Sequence, residues 1–178
     1  ILRCLVGSET CIRDRVKAYG RQEREDMEED SLTPLFQGIE PLTLVSNEIY
    51  RCILSEEEIS DDASPGLKHV RRSMAVTTDR IHSQLSGMVN GSLHSYLQDA
   101  LITSRNGRYC IPVKAEYRSQ VPGMIHDQSS TGSTLFIEPA AVVNLNNQMR
   151  ELEIKEQEEI EKVLAALSAQ VADHAEDI

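Results

Sequence analysis

The spacing of hydrophobic residues predicts helices in the first half of this chain. Between residues 42 and 54 the apolar positions follow a 3.6-residue period, which is typical of a short amphipathic helix. This stripe consists of Leu42, Val45, Ile49, Cys52 and Ile53. Ser64 suits the capping position of a second helix and Pro65 suits its first turn, because proline is already fixed near a helical φ. We expect that helix to extend to about Val89.

The N-terminal segment is harder to assign because its polar residues are clustered. Leu2 to about Met27 has the pattern of a first helix, and its end, RQEREDMEED, carries six acids and two arginines. Charge runs of this kind usually form a solvated helix face. Leu32 to Ile39 contains Pro34 and Gly38, which predict a loop with about one helical turn.

The hydrophobic period shortens between residues 101 and 137, where we predict a small antiparallel sheet. Residues 101–105 and 108–114 flank Asn106 and Gly107, a dipeptide typical of a type I′ hairpin turn. Residues 122–128 and 133–137 form a second strand pair around a serine-rich turn. Pro139 ends the last strand, because it cannot donate a ladder hydrogen bond.

The C-terminal segment predicts a long helix with a hydrophobic seam. Its apolar residues recur at steps of three and four, as in a coiled coil, with a gap at Glu156. The seam consists of Leu145, Met149, Leu152, Ile160, Val163, Leu167 and Val171. About 37 residues from Ala141 to Ile178 would span roughly 55 Å. We expect the seam to be buried and Glu151, Glu158 and Glu161 to be exposed.

These elements predict a mainly α protein with a small antiparallel β-sheet, of the α+β class. The composition agrees, since 40% of the residues are hydrophobic but only two are Phe and none is Trp, which suits aliphatic helix packing. We divide the chain into a helical core at 1–97, a β unit at 98–139 and a long coiled-coil-like helix at 140–178. The chain begins with Ile1 and ends within a helical pattern, so we expect a fragment of a longer protein.

Several classes of protein are disfavoured by the sequence. No apolar run approaches the roughly 18 to 20 residues of a membrane span, so we expect a cytoplasmic protein with no membrane partner. The cysteines are Cys4, Cys11, Cys52 and Cys110. They form no C-x-x-C pair and no zinc spacing with the histidines, so we expect reduced structural thiols and no metal site.

Charge is distributed unevenly, and this gives the candidate binding residues. The net charge is −11, yet residues 66–90 carry four basic residues and one acid, and residues 101–137 carry four and two. Nucleic-acid binding needs lysines and arginines lined against phosphates. The candidate contacts are Arg105, Arg108, Lys114 and Arg118 in the β unit, and Lys68, Arg71 and Arg72 in the preceding helix.

Each candidate also has a structural interpretation. The helix cations, Arg80 included, could pair with acidic helices of the same chain. Arg105 and Arg108 flank an exposed turn, which favours phosphate contact slightly. Tyr109 and Tyr117 could stack on sugar or base, but strand tyrosines more often pack a sheet.

A catalytic pair at His126 and Asp127 is not expected. Adjacent strand residues point to opposite faces, so the carboxylate cannot readily orient the imidazole. A structural role in the serine-rich turn, with Asp127 or Gln128 bonded to the backbone, is the better interpretation. We predict no catalytic residues in this chain.

Four strings of the sequence resemble one family over well over half of the chain. They are EIYRCILSEEEISDDASPGLKHVRRSM at 48–74, IPVKAEYR at 111–118, PGMIHDQSSTGSTLFIEP at 122–139 and VVNLNNQMRELEIKEQEEIEKVL at 142–164. These strings resemble the bacterial MutS-like paralogues called MutS-two. The match is nearly continuous from Arg108 to Leu167, which makes it highly specific.

The resemblance implies a non-catalytic DNA-binding core and clamp part of a dimeric ATPase that binds branched or duplex DNA and restrains homologous recombination. The family's nucleotide site and its nuclease domain lie in later domains. No G-x-x-x-x-G-K-[ST] motif occurs in this chain, and residues 130–134 lack the required lysine. ATP and Mg²⁺ are therefore expected in the rest of the protein, with no cofactor here.

Two further functions remain open. Some family members are linked to stalled ribosomes, and the same cations would suit a ribosome-binding arm because ribosomal RNA also presents phosphates. The long helix could transmit the state of the ATPase or simply pack on its own bundle. A purely structural coiled-coil dimerisation module is the remaining alternative.

Overall fold

The structure, a computed structural model, confirms the α+β class. It describes residues 12–13, 15–18, 33–39 and 41–176. The helices are α1 (Thr33–Gly38), α2 (Thr43–Cys52), α3 (Pro65–Val89) and α4 (Val143–Asp173). Residues 12–13 and 15–18 are also helical, and the rest of the helix predicted from Leu2 to Met27 lies outside the described residues.

The boundaries of α2 and α3 are close to those predicted. The Ser64 hydroxyl accepts a hydrogen bond from the Leu67 amide at 3.0 Å, which is the predicted cap of α3. The segment at 32–39 was predicted as a loop with about one helical turn. It contains the six-residue helix α1, which is somewhat longer than one turn.

The long C-terminal helix is shorter than predicted, with 31 residues instead of about 37. Pro139 has an extended backbone, and residues 140–142 form a tighter 3₁₀ turn before α4 begins. At the other end, the His174 amide donates to the carbonyl of Val171 at 3.2 Å. Such i to i−3 bonds tighten the last turn and end the regular helix.

The predicted sheet is present. It contains β1 (Thr103–Arg105), β2 (Arg108–Lys114), β3 (Gly123–Gln128) and β4 (Thr134–Pro139) in the order β1-β2-β4-β3. All three pairings are antiparallel. Asn106 and Gly107 have φ of 54° and 73°, as a type I′ turn requires. A bulge lies between Ile125 and Asp127, so His126 is the extra residue on β3.

The chain divides into two compact units. Unit one comprises residues 1–68 and 158–178, and unit two comprises residues 69–157. The core of unit one is formed by Val45, Ile49, Cys52, Ile53, Val163 and Leu167. The core of unit two contains Ile81, Leu85, Val89, Leu97, Ile111, Val113, Val121, Ile137 and Val142. Unit two therefore contains the sheet and packs it against α3.

The hydrophobic seam of α4 is buried as predicted. Met149 and Leu152 are buried in unit two, and Val163 and Leu167 are buried in unit one. The remaining seam residues, Leu145, Ile160 and Val171, are half-buried. The three acids predicted to be exposed are exposed in the structure: Glu151, Glu158 and Glu161.

Candidate nucleic-acid interface

The cation at the end of β1 is held against the sheet. Arg105 lies opposite Arg108 in the β1–β2 register. Its Nε is 3.2 Å from Oδ2 of Asp127, and its guanidinium carbon lies 3.9 Å from the centre of the Phe136 ring. This cation–π contact and ion pair direct Arg105 toward β3 and β4.

Arg108 contacts a buried carboxylate that the sequence did not single out. Glu138 is fully buried. Its Oε1 accepts hydrogen bonds from Nη1 of Arg108 at 2.9 Å and Nδ2 of Asn146 at 2.8 Å, and its Oε2 lies 2.5 Å from Nε2 of His126. A carboxylate can be buried only when it is paired and hydrogen-bonded in this way. Arg108 therefore compensates a buried charge.

Asn146 also bonds the backbone of β2. Its Oδ1 accepts from the Tyr109 amide at 3.1 Å, and its Nδ2 donates to the Tyr109 carbonyl at 3.2 Å. Continuing the register by two residues from the Ile111–Ile137 pair places Pro139 opposite Tyr109. Because proline has no N–H to donate, the Asn146 amide completes the ladder there.

The other two cations of the β unit also make internal contacts. Nζ of Lys114 lies 3.4 Å from the Ser95 carbonyl and 5.9 Å from the centre of the Tyr117 ring. Arg118 donates to the carbonyls of Val121 and Gly123 at 3.1 and 3.0 Å. Both side chains thus help to hold the segment between β2 and β3.

The helix cations differ from one another. In unit one, Nζ of Lys68 is 2.6 Å from Oδ1 of Asp62, and both side chains are mostly exposed. In unit two, Nε of Arg71 is 2.7 Å from Oε1 of Glu156, and about three quarters of each side chain is buried. Lys68 and Arg71 therefore pair with acids of the same chain, as one interpretation of this helix anticipated.

Arg72 and Arg80 are exposed, and within the described part of the chain neither guanidinium has a hydrogen bond or an ion pair. Both line a groove of about 340 Å³ on unit two. The groove is lined by His69, Arg72, Ser73, Val76, Thr77, Arg80 and Gln148. Arg80 contributes to the positive charge of the helix but is not among the contacts predicted from the sequence. Its spacing of eight residues from Arg72 was the available signal.

Two pairs of aromatic side chains pack against each other in unit two. The rings of Tyr109 and His82 meet edge to face, with centroids 5.2 Å apart. Tyr117 and Tyr96 have centroids 5.1 Å apart, and both tyrosines contact the hydrophobic core. The packing interpretation of Tyr109 and Tyr117 is therefore confirmed.

The remaining predicted chemistry is also structural. His126 contacts Glu138 and Asp127 contacts Arg105, so the two neighbours do not form an orienting pair.

Among the described residues no group of three His, Cys, Asp or Glu side chains could hold a metal ion. Cys52 and Cys110 are buried free thiols, and burial raises the pKa of Cys110 to about 11. No helix in the described ranges is long and apolar enough to cross a membrane.

The fold is of the α+β class. In unit two most lysines and arginines contact other residues of the chain, while one face of α3 presents Arg72 and Arg80 to solvent. No protein-family model matches the chain. Endonuclease MutS2 of Agathobacter rectalis is 62% identical over 165 residues, which is 92% of this chain and 21% of that protein. Endonuclease MutS2 of Lachnoclostridium phytofermentans is 57% identical over 164 residues, 89% of this chain and 21% of the relative.

A more distant relative matches a slightly smaller part of the chain. Endonuclease MutS2 of Symbiobacterium thermophilum is 48% identical over 145 residues, or 82% of this chain and 18% of that protein. The chain belongs to the MutS2 family, and it spans about a fifth of the length of these relatives.

Proposed function

We propose that this chain is a non-catalytic DNA-binding part of a MutS2-type ATPase and that unit two contacts the phosphate backbone. The observation that carries the proposal is the charge difference between the units. Unit two has nine lysines and arginines and eight acids, for a net +1, whereas unit one has nine and 21, for −12. Unit two is the better candidate for phosphate binding, because it has far fewer acidic residues than unit one to repel a phosphate.

Such a contact recognises the backbone and not the bases, so it tolerates any sequence and suits duplex and branched DNA. In this proposal the complete protein is a cytoplasmic homodimer that uses ATP and Mg²⁺ outside these 178 residues and restrains homologous recombination. The relatives are named endonucleases, which supports nucleic acid as the ligand. The chain itself performs no reaction in this proposal.

Ribosomal RNA is the second candidate ligand, because the same cations would meet its phosphates. A purely structural dimerisation module is less well supported. Its seam would have to be available to a second copy, yet Met149, Leu152, Val163 and Leu167 are buried within one chain.

Cross-linking tests the proposal. The complete protein is cross-linked to duplex DNA, to a four-way junction and to ribosomes, and the attached peptides are mapped. We expect DNA cross-links within residues 69–157 that decrease steeply with added salt. DNA cross-links confined to other parts of the protein would contradict the proposal, and cross-links at 69–157 to ribosomal RNA alone would favour the ribosome-binding arm.

A further inference from the structure

We propose that Arg72 and Arg80 of α3 form a two-phosphate binding site for a nucleic-acid backbone, with Val76 between them and Gln148 of α4 beside them. This site rests on the proposed function and specifies where unit two would make the contact. It also differs from the contact expected at the hairpin, because the ligand would lie along α3 and not at the tip formed by Asn106 and Gly107.

The helix places the site's residues in one row. Arg72, Val76 and Arg80 are separated by four residues each, so they lie one above the other on a single helix face. Eight residues correspond to about 12 Å along the helix axis at the standard rise. Both arginine side chains are long, and each can therefore reach a different phosphate of the same backbone.

Arg72 and Arg80 are available to bind a phosphate, whereas the other arginines of unit two already contact residues of the chain. Arg71, Arg105, Arg108, Arg118 and Arg150 all make ion pairs or hydrogen bonds within the chain. Among the described residues Lys155 also has no ion pair or hydrogen bond, but it lies on α4 one helical turn from the exposed Glu151 and Glu158. Their negative charges make that position unfavourable for a phosphate.

The rest of the groove suits a sugar–phosphate chain. Val76 is 44% exposed and offers an apolar surface between the two cations, where the sugar between phosphates would lie. The hydroxyls of Ser73 and Thr77 donate to the carbonyls of His69 and Ser73 at 2.9 and 2.8 Å. These two donors are therefore engaged within α3, and the arginines are the groups that would donate to a phosphate. Gln148 of α4 also lines the groove, is exposed and carries amide donors.

One acid lies near the site. Asp79 is exposed and precedes Arg80, although it does not line the groove. Its charge should weaken phosphate binding, so we expect Asp79→Asn to increase affinity for DNA.

The test uses the complete protein and the double variant R72Q/R80Q. Binding to a DNA duplex and, separately, to ribosomal RNA is measured at several salt concentrations. Loss of two phosphate contacts should lower the slope of log K against log salt by roughly 1.8 and weaken binding on the order of tenfold or more at low salt. The matched control is Lys155→Gln, which removes the same kind of exposed charge and should leave both quantities unchanged. R72K/R80K retains the charges and should keep most of the binding, because lysine also binds phosphate, as a point charge.

The outcomes separate this site from the proposed function. If the wild-type protein binds DNA and R72Q/R80Q gives the same slope as K155Q, the site is wrong and the proposed function survives. If the unchanged protein binds no DNA, the proposed function fails. If the slope decreases with ribosomal RNA but not with DNA, the site is retained and its ligand is RNA. Equal loss of binding in R72K/R80K and R72Q/R80Q would also overturn the site.

Discussion

Arg71 of α3 and Glu156 of α4 form an ion pair at the point where the hydrophobic seam of α4 is interrupted. The two atoms, Nε and Oε1, are 2.7 Å apart, and the side chains are 25% and 20% exposed. The gap in the seam is thus a position at which a charged pair replaces an apolar one. Because this ion pair is largely buried, we expect the protein to be destabilised mainly when one of the two partners is removed and the charge of the other stays in the same half-buried position.

We therefore expect Glu156→Leu to lower the free energy of unfolding by about 1–3 kcal/mol. The double variant Arg71→Met/Glu156→Leu should recover most of that loss, because the seam then becomes continuous. Urea unfolding of both variants and of Arg71→Met measures the coupling. Glu153→Leu is the control, because its pair with Arg150 is more exposed and should contribute less than about 1 kcal/mol. A double variant as unstable as the sum of the single variants would contradict this account.

Gly123 is required where β3 meets β4. A Cβ atom there would lie 2.1 Å from the backbone oxygen of Glu138 and 2.9 Å from Cγ2 of Ile137. Because the nearer atom is backbone, the strands would have to separate. We expect Gly123→Ala to destabilise the protein by about 1–3 kcal/mol or more.

The matched control for Gly123 is Gly87, which lies exposed in α3 with nothing within 4 Å of a built Cβ. Alanine is the better helix former by roughly 0.5–1 kcal/mol. Gly87→Ala should therefore raise the thermal midpoint, whereas Gly123→Ala lowers it. Midpoints that change in the same direction would show that the close approach at Gly123 is tolerated.

Among the polar residues of α4, we expect the substitution of Asn146 to cause the largest loss of stability. Replacement by leucine removes its bonds to Glu138 and to both backbone groups of Tyr109. Buried polar groups left without partners cost about 1–3 kcal/mol each, so we expect a loss of several kcal/mol for Asn146→Leu. Asn147→Leu changes the neighbouring exposed residue and should change stability by less than about 0.5 kcal/mol. Similar unfolding midpoints for the two variants would contradict the role assigned to Asn146.

The parts of the fold that depend on neighbouring residues could be predicted from the sequence. The positive φ angles at Asn106 and Gly107 and the Ser64 cap both follow from local chemistry. The burial of Leu152 and the exposure of Glu151 follow from helical period alone.

The candidate site could not be predicted in the same way, because its contacts are long-range. Arg105 was expected beside an open turn, but the hairpin tip approaches β3, where Nδ2 of Asn106 donates to the His126 carbonyl at 3.2 Å. Asp127 and Glu138, which pair with the hairpin arginines, lie more than twenty residues away in sequence. The spacing of hydrophobic residues along the sequence does not indicate such a pairing. The sequence likewise does not indicate that Arg71 pairs with Glu156 of α4 while its neighbour Arg72 is exposed.

Leu152 tests the seam directly. It is 8% exposed, whereas Ile154, two residues later on the same helix, is 52% exposed. We expect Leu152→Asp to cost several kcal/mol, because an unpaired carboxylate would be buried. Ile154→Asp should leave the unfolding midpoint nearly unchanged. An equal response of the two variants would show that the stripe is not the packing face.

The buried thiol of Cys110 makes stability depend on pH in the alkaline range. Burial raises the pKa of Cys110 to about 11 from an ordinary value of 9.0. The native state therefore holds this proton more tightly than the unfolded state. The contribution of the protonated thiol to the free energy of unfolding is complete below pH 9 and decreases between pH 9 and about 11. From the linkage relation we expect this thiol to account for a loss of stability on the order of 1 kcal/mol at pH 10. Urea unfolding from pH 7 to pH 10.5 should show a steeper loss in the wild type than in Cys110→Ala. Parallel curves for the two proteins would show that the thiol ionises equally easily in both states.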